Sequence, residues 1–236
     1  MPPRILRLHA AFSILARKSE ATRDLTENKL MRDVGVRPNA RTRQLLRRLA
    51  RPGVSLRNVL FDLRFGAVLG GGQSRSGPND PYFGNSPYEV LEPLFSAAGI
   101  RLDDVVVDVG CGKGRVINWL LRFHPHNRVI GIELDPGVAV RTARRLRRYE
   151  HVRIVCGDVR ENIPPEGSLF YLYNPFDADM MRGFIDALAA KSHAAHEVRL
   201  IYHNCRFVDL FYDARFSVDE IQLANTTHRS AIIRFS

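Results

Sequence analysis

Val105-Val106-Val107-Asp108-Val109-Gly110-Cys111-Gly112-Lys113-Gly114-Arg115-Val116 sets a β-branched run directly before a glycine-rich turn, and a helical pattern continues from it to Phe123. β-Branched side chains suit a strand buried on both faces. The glycines let the backbone turn tightly and approach a ligand without a Cβ in the way. In open α/β sheets, ligands sit in the crevice at the carboxyl ends of the strands, which is where this turn falls. A dinucleotide fingerprint needs glycine at its first, third and sixth positions, but counting from Gly110 the sixth is Arg115 and the third glycine falls fifth. A phosphate-binding loop needs Gly-Lys followed by Ser or Thr, whereas Gly112-Lys113 is followed by Gly114. A ligand held by its pyrophosphate is therefore disfavoured.

Downstream, strand-like and helix-like stretches alternate. Short apolar runs lie at Arg128–Glu133, Val152–Cys156, Leu169–Tyr173 and Val198–His203, separated by helical patterns near Gly114–Phe123, Pro136–Arg148 and Asp179–Lys191. That alternation predicts a parallel sheet with helices on both faces. Phe216–Leu223 and Arg229–Phe235 are joined only by Ala224–His228, a link short enough to require antiparallel pairing. The expected fold is α/β, a doubly wound, mostly parallel seven-strand sheet ending in an antiparallel hairpin, with an N-terminal helical cap.

The cap is residues 1–65. Ile5, Leu8, Phe12 and Leu15 follow a helical period, a second helical stretch runs from about Asn39 to Leu49, and a third from about Ser55 to Phe65. Their apolar stripes need burial, so the segment is expected to pack on the main domain or to form a dimer surface. The glycine-rich stretch 66–80 reads as a lid or access loop, and residues 81–236 as the main domain. Residues 1–60 hold 14 Lys and Arg against 4 Asp and Glu, which accounts for the whole net charge of +10. Such asymmetry marks a nucleic-acid contact or a solvated basic face.

At 236 residues with 45% hydrophobic and 25% charged, the chain has ample material for a core, and the composition excludes disorder, collagen and a disulfide scaffold. Cys111, Cys156 and Cys205 stand too far apart for a zinc or dithiol motif, so no metal is expected. No apolar run approaches the ~20 residues that span a bilayer, so no membrane role is expected. A cytoplasmic location follows as the expectation. Met1–Lys18, basic and free of acids, keeps mitochondrial targeting as the minor alternative.

The pattern Asp-x-Gly-x-Gly-x-Gly at Asp108–Gly114 resembles motif I of the class I, seven-strand, Rossmann-like S-adenosylmethionine-dependent methyltransferases. The resemblance extends to Gly131-Ile132-Glu133, to Gly157-Asp158 and to the terminal hairpin, and covers about residues 81–236. It implies S-adenosyl-L-methionine as cofactor and S-adenosyl-L-homocysteine as product. By that resemblance Asp108 orients the amino-acid end, and Gly110, Cys111, Gly112 and Gly114 wrap the methionine part. Glu133 accepts the ribose hydroxyls, and Asp158 with Val159 lies near the adenine. From the residues alone, Glu133 reads as a surface acid, Asp158 equally as a helix N-cap, Cys111 as a small filler, and Lys113 and Arg115 as solvated first-turn residues.

Tyr173-Asn174-Pro175-Phe176 resembles motif IV of amine- and amide-directed methyltransferases, although the second proline is missing. The resemblance implies that Asn174 and the Pro175 carbonyl accept hydrogen bonds from the target nitrogen, under the aromatic wall of Phe176. Together with this motif, Tyr82-Phe83-Gly84-Asn85-Ser86-Pro87-Tyr88-Glu89 is similar in part to the non-SET protein-lysine methyltransferases. That similarity places Tyr82, Ser86 and Tyr88 in the substrate pocket and gives Tyr88 a catalytic role beside Asn174 and Phe176. His203, in Tyr202-His203-Asn204 at the end of the fifth strand, is a candidate pocket residue and a base at near-neutral pH.

The leading function is methylation of an amine, on a protein lysine or a small molecule, by direct in-line displacement. One alternative is RNA or DNA methylation using the basic N-terminal segment, which has few aromatic residues for base stacking. The other is a non-catalytic cofactor-binding scaffold, against which the intact Asp108, Gly110, Gly112, Gly114, Glu133 and Asp158 argue.

Overall fold

The computed structural model describes residues 56–69, 86–191, 197–224 and 226–235. In chain order its elements are α1 (Leu56–Arg64), α2 (Tyr88–Ala98), β1 (Val105–Val109), α3 (Arg115–Phe123), β2 (Arg128–Glu133), α4 (Pro136–Leu146) and β3 (Val152–Cys156). There follow α5 (Val159–Asn162), β4 (Leu169–Tyr173), α6 (Ala178–Lys191), β5 (Arg199–His203), a 3-10 turn (Val208–Phe211), β6 (Phe216–Gln222) and β7 (Arg229–Phe235). The seven strands lie in the order β3-β2-β1-β4-β5-β7-β6. β1 pairs parallel with both β2 and β4, so the strand order reverses on either side of it. β7 is antiparallel to both β5 and β6, and alone runs against the other six. The expected doubly wound sheet with its closing hairpin is what the chain forms, and element ends differ from the expected ones by at most two residues.

β1 is buried at every position, as a strand covered by helices on both faces must be. Side chains alternate between the faces. On one face Val106 joins Leu169, Tyr171, Ile201 and Ile232 beneath α2 and α3, which contribute Leu91, Leu94, Phe95, Ile117 and Leu120. On the other, Val107, Phe170, Leu172, Leu200 and Ile233 pack against Met181, Phe184, Ile185 and Leu188 of α6. Asp108 shares the face of Val106 and is therefore carried toward α2 and α3.

Local signals set the ends of the helices. Gly99 closes α2 at φ +64, with its N–H donating to the Ser96 carbonyl and that of Ile100 to the Phe95 carbonyl. Asp135 caps α4, its Oδ1 accepting from the Val138 N–H at 2.8 Å, and Pro136 supplies a first residue whose missing N–H costs nothing.

At the amino edge of the sheet, Asp104, Ser168 and Arg199 stand at the starts of β1, β4 and β5. Arg199 Nη2 lies 2.5 and 2.7 Å from the two Asp104 carboxylate oxygens, and its Nη1 donates to the Ala98 and Gly99 carbonyls at 2.8 and 2.7 Å. Ser168 Oγ donates to Asp104 Oδ1 at 2.7 Å. Burial alone would push the Asp104 carboxyl up, but the Arg101 N–H, the Ser168 hydroxyl and the Arg199 guanidinium outweigh it and hold it below its usual range. This clamp is far in sequence from any motif and sits opposite the edge where the glycine turn lies.

Of the expected cap, α1 is described, and its residues from Asn58 onward belong to the same compact unit as the sheet. The other two expected helices and the stretch 70–85, which includes Tyr82, lie outside the described residues. Among the described residues no helix is long and apolar enough to cross a membrane, and no cluster of His, Cys, Asp and Glu could hold a metal ion.

Candidate active site

The glycine turn leaves β1 with Gly110, Gly112 and Gly114 at φ +71, +53 and +76, all in the left-handed region that favours glycine. The three are not equivalent in their surroundings. A Cβ on Gly114 would press on Arg145, Thr142 and Leu146, so that glycine is a packing requirement. A Cβ on Gly110 would lie 3.4 Å from Pro175 Cβ, which sets the loop after β4 directly against the glycine turn. A Cβ on Gly112 would meet nothing nearer than the Gly110 carbonyl at 3.9 Å. Among the described residues nothing therefore covers Gly112, and a ligand can approach its bare backbone.

The turn is held from β2 and α4. The Cys111 N–H donates to the Ile132 carbonyl at 2.9 Å, and the Gly112 N–H to Glu133 Oε2 at 2.8 Å. Thr142 Oγ1 donates to the Gly112 carbonyl at 2.9 Å, and Arg145 Nη2 to the Lys113 carbonyl at 2.6 Å. The second Glu133 oxygen accepts from the Asp135 N–H at 2.8 Å. Glu133 is thus fixed by two backbone donors while its remaining lone pairs stay free to accept from a ligand. Cys111 fills the gap left by Gly131, where an added Cβ would sit 2.7 Å from the Cys111 Sγ. Its thiol is buried and pushed well up by that burial and by the charges of Asp108 and Glu133, so it packs as an apolar filler against the turn.

Asp108 is buried and its Oδ2 has no hydrogen-bond partner among the described residues. Burial, with Glu133 adding its negative charge, pushes this carboxyl up to about 8. A buried carboxylate oxygen without a donor is a costly feature in isolation, and a cation placed against it removes the cost. An amino acid's ammonium group has the charge and donors to do so.

Asn174 ends β4 at φ +41, an unusual conformation for a residue other than glycine, and its buried Oδ1 is likewise without a partner. Asn204 ends the neighbouring β5 at φ +53. Phe176 packs against α6, with its ring centroid 5.6 Å from that of Phe184. His203 lies across from Tyr173 on β5, their rings stacked at 5.0 Å. His203 Nδ1 is 2.8 Å from Ser230 Oγ, and its Nε2 is buried with no partner among the described residues. Burial, with His228 nearby, pulls the imidazole down to about 4, so His203 is neutral at pH 7 and lacks the near-neutral titration expected from the sequence.

Three unpartnered polar atoms therefore end adjacent strands: Asp108 Oδ2 at β1, Asn174 Oδ1 at β4 and His203 Nε2 at β5. Asp158 presents a different picture. It caps α5, its Oδ1 accepting from the Arg160 N–H at 2.9 Å, and the Arg160 guanidinium grips the carboxylate at 2.6 Å. Val159 beside it is buried.

The described upstream residues make two separate buried polar contacts. The Tyr171 hydroxyl donates to Ser86 Oγ at 2.7 Å. The Tyr88 hydroxyl donates to Asp62 Oδ1 at 2.6 Å, and burial together with Asp62 raises it far above the usual tyrosine range. Arg115 is not solvated as expected: its Nη2 lies 3.1 Å from Asp62 Oδ2, and both side chains are largely buried. Thr142, Arg145 and Asp62 were not among the residues singled out from the sequence, because each acts on the turn from a distant segment and carries no motif of its own.

Residues 106–192 match a family profile described as a methyltransferase domain. No curated protein matches the chain. Among solved structures, the chain is similar in fold to an RNA methyltransferase from Salinibacter ruber crystallised with S-adenosyl-L-homocysteine, at 20% identity and TM-score 0.50, covering 64% of this chain and 92% of that one. It is similar to TrmN from Thermus thermophilus at 14% identity and TM-score 0.51, covering 63% of this chain and 48% of that one. The mitomycin 7-O-methyltransferase MmcR matches at 17% identity and TM-score 0.50, covering 62% and 54%. Residues 106–192 thus match a methyltransferase-domain profile, and the seven-strand order gives the chain the Rossmann-like fold seen in these solved methyltransferases.

Proposed function

We propose that this domain methylates a nitrogen of an amine-bearing acceptor, a protein lysine or a small molecule, by direct in-line displacement. One observation carries the reading: Asn174 holds a buried carbonyl oxygen with no partner among the described residues at the end of β4, next to Pro175, whose Cβ would lie 3.4 Å from a Cβ on Gly110 of the glycine turn. An N–H donor on the acceptor supplies the missing partner and is thereby oriented.

S-adenosyl-L-methionine, when bound, supplies an activated methyl group on sulfur. The residues fit it. Asp108 Oδ2 would take the ammonium, the open side of Gly112 would admit the methionine chain, and Glu133 would accept from the ribose hydroxyls. Rate enhancement then comes from alignment, since holding two reactants in an attack geometry replaces a bimolecular encounter. Asn174 Oδ1 and the Pro175 carbonyl would accept hydrogen bonds from the acceptor nitrogen and orient its lone pair. Phe176, braced on Phe184, walls the site. His203, neutral at pH 7, offers a hydrogen bond rather than a charge.

The test is methyl transfer from radiolabelled cofactor to separate pools of lysine peptides, small amines and RNA, comparing the intact chain with Asn174→Ala. Label that enters an amine pool, resists mild base and falls at least tenfold in the variant supports the reading. Base-labile label, or equal transfer by the variant, contradicts it.

One observation favours the nucleic-acid alternative. Arg141, Arg144 and Arg147 on α4 and the turn after it are exposed, and no carboxylate of a described residue pairs with them. Phosphate contacts of this kind weaken steeply with salt, so transfer to the RNA pool that vanishes between 50 and 200 mM salt identifies this acceptor class.

A further inference from the structure

The glycine turn has three residues free of Cβ within five positions, so its own sequence does little to fix its shape. β2 and α4 hold one side of it through Ile132, Glu133, Thr142 and Arg145. The other side is held by α1. Asp62 is fully buried and accepts three hydrogen bonds from three separate segments: the Tyr88 hydroxyl of α2 at 2.6 Å, the Leu69 N–H at 2.9 Å, and Arg115 Nη2 at 3.1 Å. Arg115 is the first residue of α3 and follows Gly114 directly. Its guanidinium also lies over the Tyr88 ring, 5.3 Å from the centroid.

Arg145 closes the circuit between the two sides. Its Nη1 donates to the Phe65 carbonyl, at the end of α1, at 3.0 Å and to Asn118 Oδ1 of α3 at 2.8 Å. Its Nη2 donates to the Lys113 carbonyl inside the turn. Lys113, through Arg145, and Arg115, the first residue of α3, directly, are thus bonded to α1 and the residue that follows it. Phe61 and Phe65 seat that helix by packing on Tyr88, Phe123 and Tyr149.

We propose that Asp62 is a positioning residue for the cofactor turn, acting through Arg115 to fix the junction of Gly114 with α3 from the side opposite Glu133. This rests on the cofactor reading above. A buried carboxylate is an expensive way to join helices, because its desolvation is recovered only when every lone pair finds a donor. Here the donors come from α2, from the chain that follows α1 and from the turn's own helix, so the pair orders the turn before any ligand arrives. Pre-organisation of that kind raises affinity by removing the ordering step from binding.

The experiment is titration with S-adenosyl-L-homocysteine alongside thermal unfolding, on the full chain and on Asp62→Asn, Arg115→Met, Arg115→Lys and Ser168→Ala. Ser168→Ala removes one bond from the Asp104 clamp at the other edge of the sheet and controls for general loss of stability. Asp62→Asn and Arg115→Met are expected to weaken binding at least tenfold at a temperature where each is folded. Arg115→Lys should keep most of the affinity, and Ser168→Ala should lower the melting temperature with affinity unchanged. If Asp62→Asn does not fold, the Arg115 pair carries the same test. Folded Arg115→Met that binds as tightly as the intact chain overturns the proposal, as does affinity falling in Ser168→Ala in step with its stability. If the intact chain itself fails to bind, the cofactor reading fails instead.

Discussion

The Gly112 N–H donates to Glu133 Oε2 at 2.8 Å, so the middle of the glycine turn is bonded to the carboxylate that ends the neighbouring strand. One side chain therefore shapes the turn, and in the proposed site its other lone pairs would accept from the ligand. Charge-assisted bonds of this sort are worth about 1.5–3 kcal/mol, so Glu133→Gln is expected to weaken S-adenosyl-L-homocysteine binding by roughly 10- to 100-fold while the protein stays folded. Equal affinity in a folded variant would show that Glu133 serves the backbone alone.

Asp108 predicts a pH dependence. In the ligand-free protein its carboxyl sits near 8, pushed there by burial and by Glu133, whereas an unfolded aspartate titrates near 3.9 (roughly). Between those values the folded state holds one more proton, so this group lowers stability as pH rises through that window. An ammonium ligand requires the carboxylate, so binding releases a proton below about pH 8 and affinity should strengthen by up to about tenfold per unit from pH 6 to 8. Calorimetry at pH 6, 7 and 8, in buffers of different ionisation enthalpy, measures both. A flat affinity with no proton release would contradict the assignment, and Asp108→Asn should abolish the dependence.

Two glycine substitutions should separate site from core. Gly112→Ala places a methyl group in the open space over the turn at φ +53, with a conformational cost of about 1–2 kcal/mol, and should fold yet lose ligand binding. Gly131→Ala drives a Cβ to within 3 Å of Cys111, Ile117 and Ile154. Overpacking costs about 1–3 kcal/mol, so this variant should unfold at lower denaturant. If Gly112→Ala binds normally, the ligand does not cross that face.

The clamp at the amino edge should behave as pure stability. Arg199→Met leaves Asp104 buried without its guanidinium, and breaking such a pair costs about 3–5 kcal/mol. Chemical denaturation is expected to show that loss, with the affinity for S-adenosyl-L-homocysteine within twofold wherever the variant is folded. A selective loss of affinity would place the clamp in the functional path.

His203 should stay neutral through the physiological range. Its ring-proton resonances are expected to titrate with a midpoint near 4, the value set by burial and His228. A midpoint near 6.5 would make it the near-neutral base that the sequence suggested.

Much of the fold was legible because it depends on short-range pattern. Val105–Val109, Leu169–Tyr173 and Arg229–Phe235 read as strands from their own residues, and the short link before Arg229 dictated the hairpin. The turn was legible for the same reason, since glycine spacing is local. Asp62, Arg145 and the Asp104–Arg199 pair were not, because each takes its meaning from partners brought close only by the folded sheet. Arg115 shows the difference: beside a glycine turn it reads as a solvated helix-start residue, and α1 makes it half of a buried pair. The same holds for His203, whose titration is set by the rings and strands around it.

The proposed cofactor site stands or falls with Asp108, Gly112 and Glu133. Calorimetric titration of the intact chain with S-adenosyl-L-homocysteine, beside Asp108→Ala and Glu133→Ala, tests it most directly. One saturable site is expected in the intact chain, and its loss in both folded variants. A well-folded intact chain that does not bind, or variants that bind as the intact chain does, would contradict it.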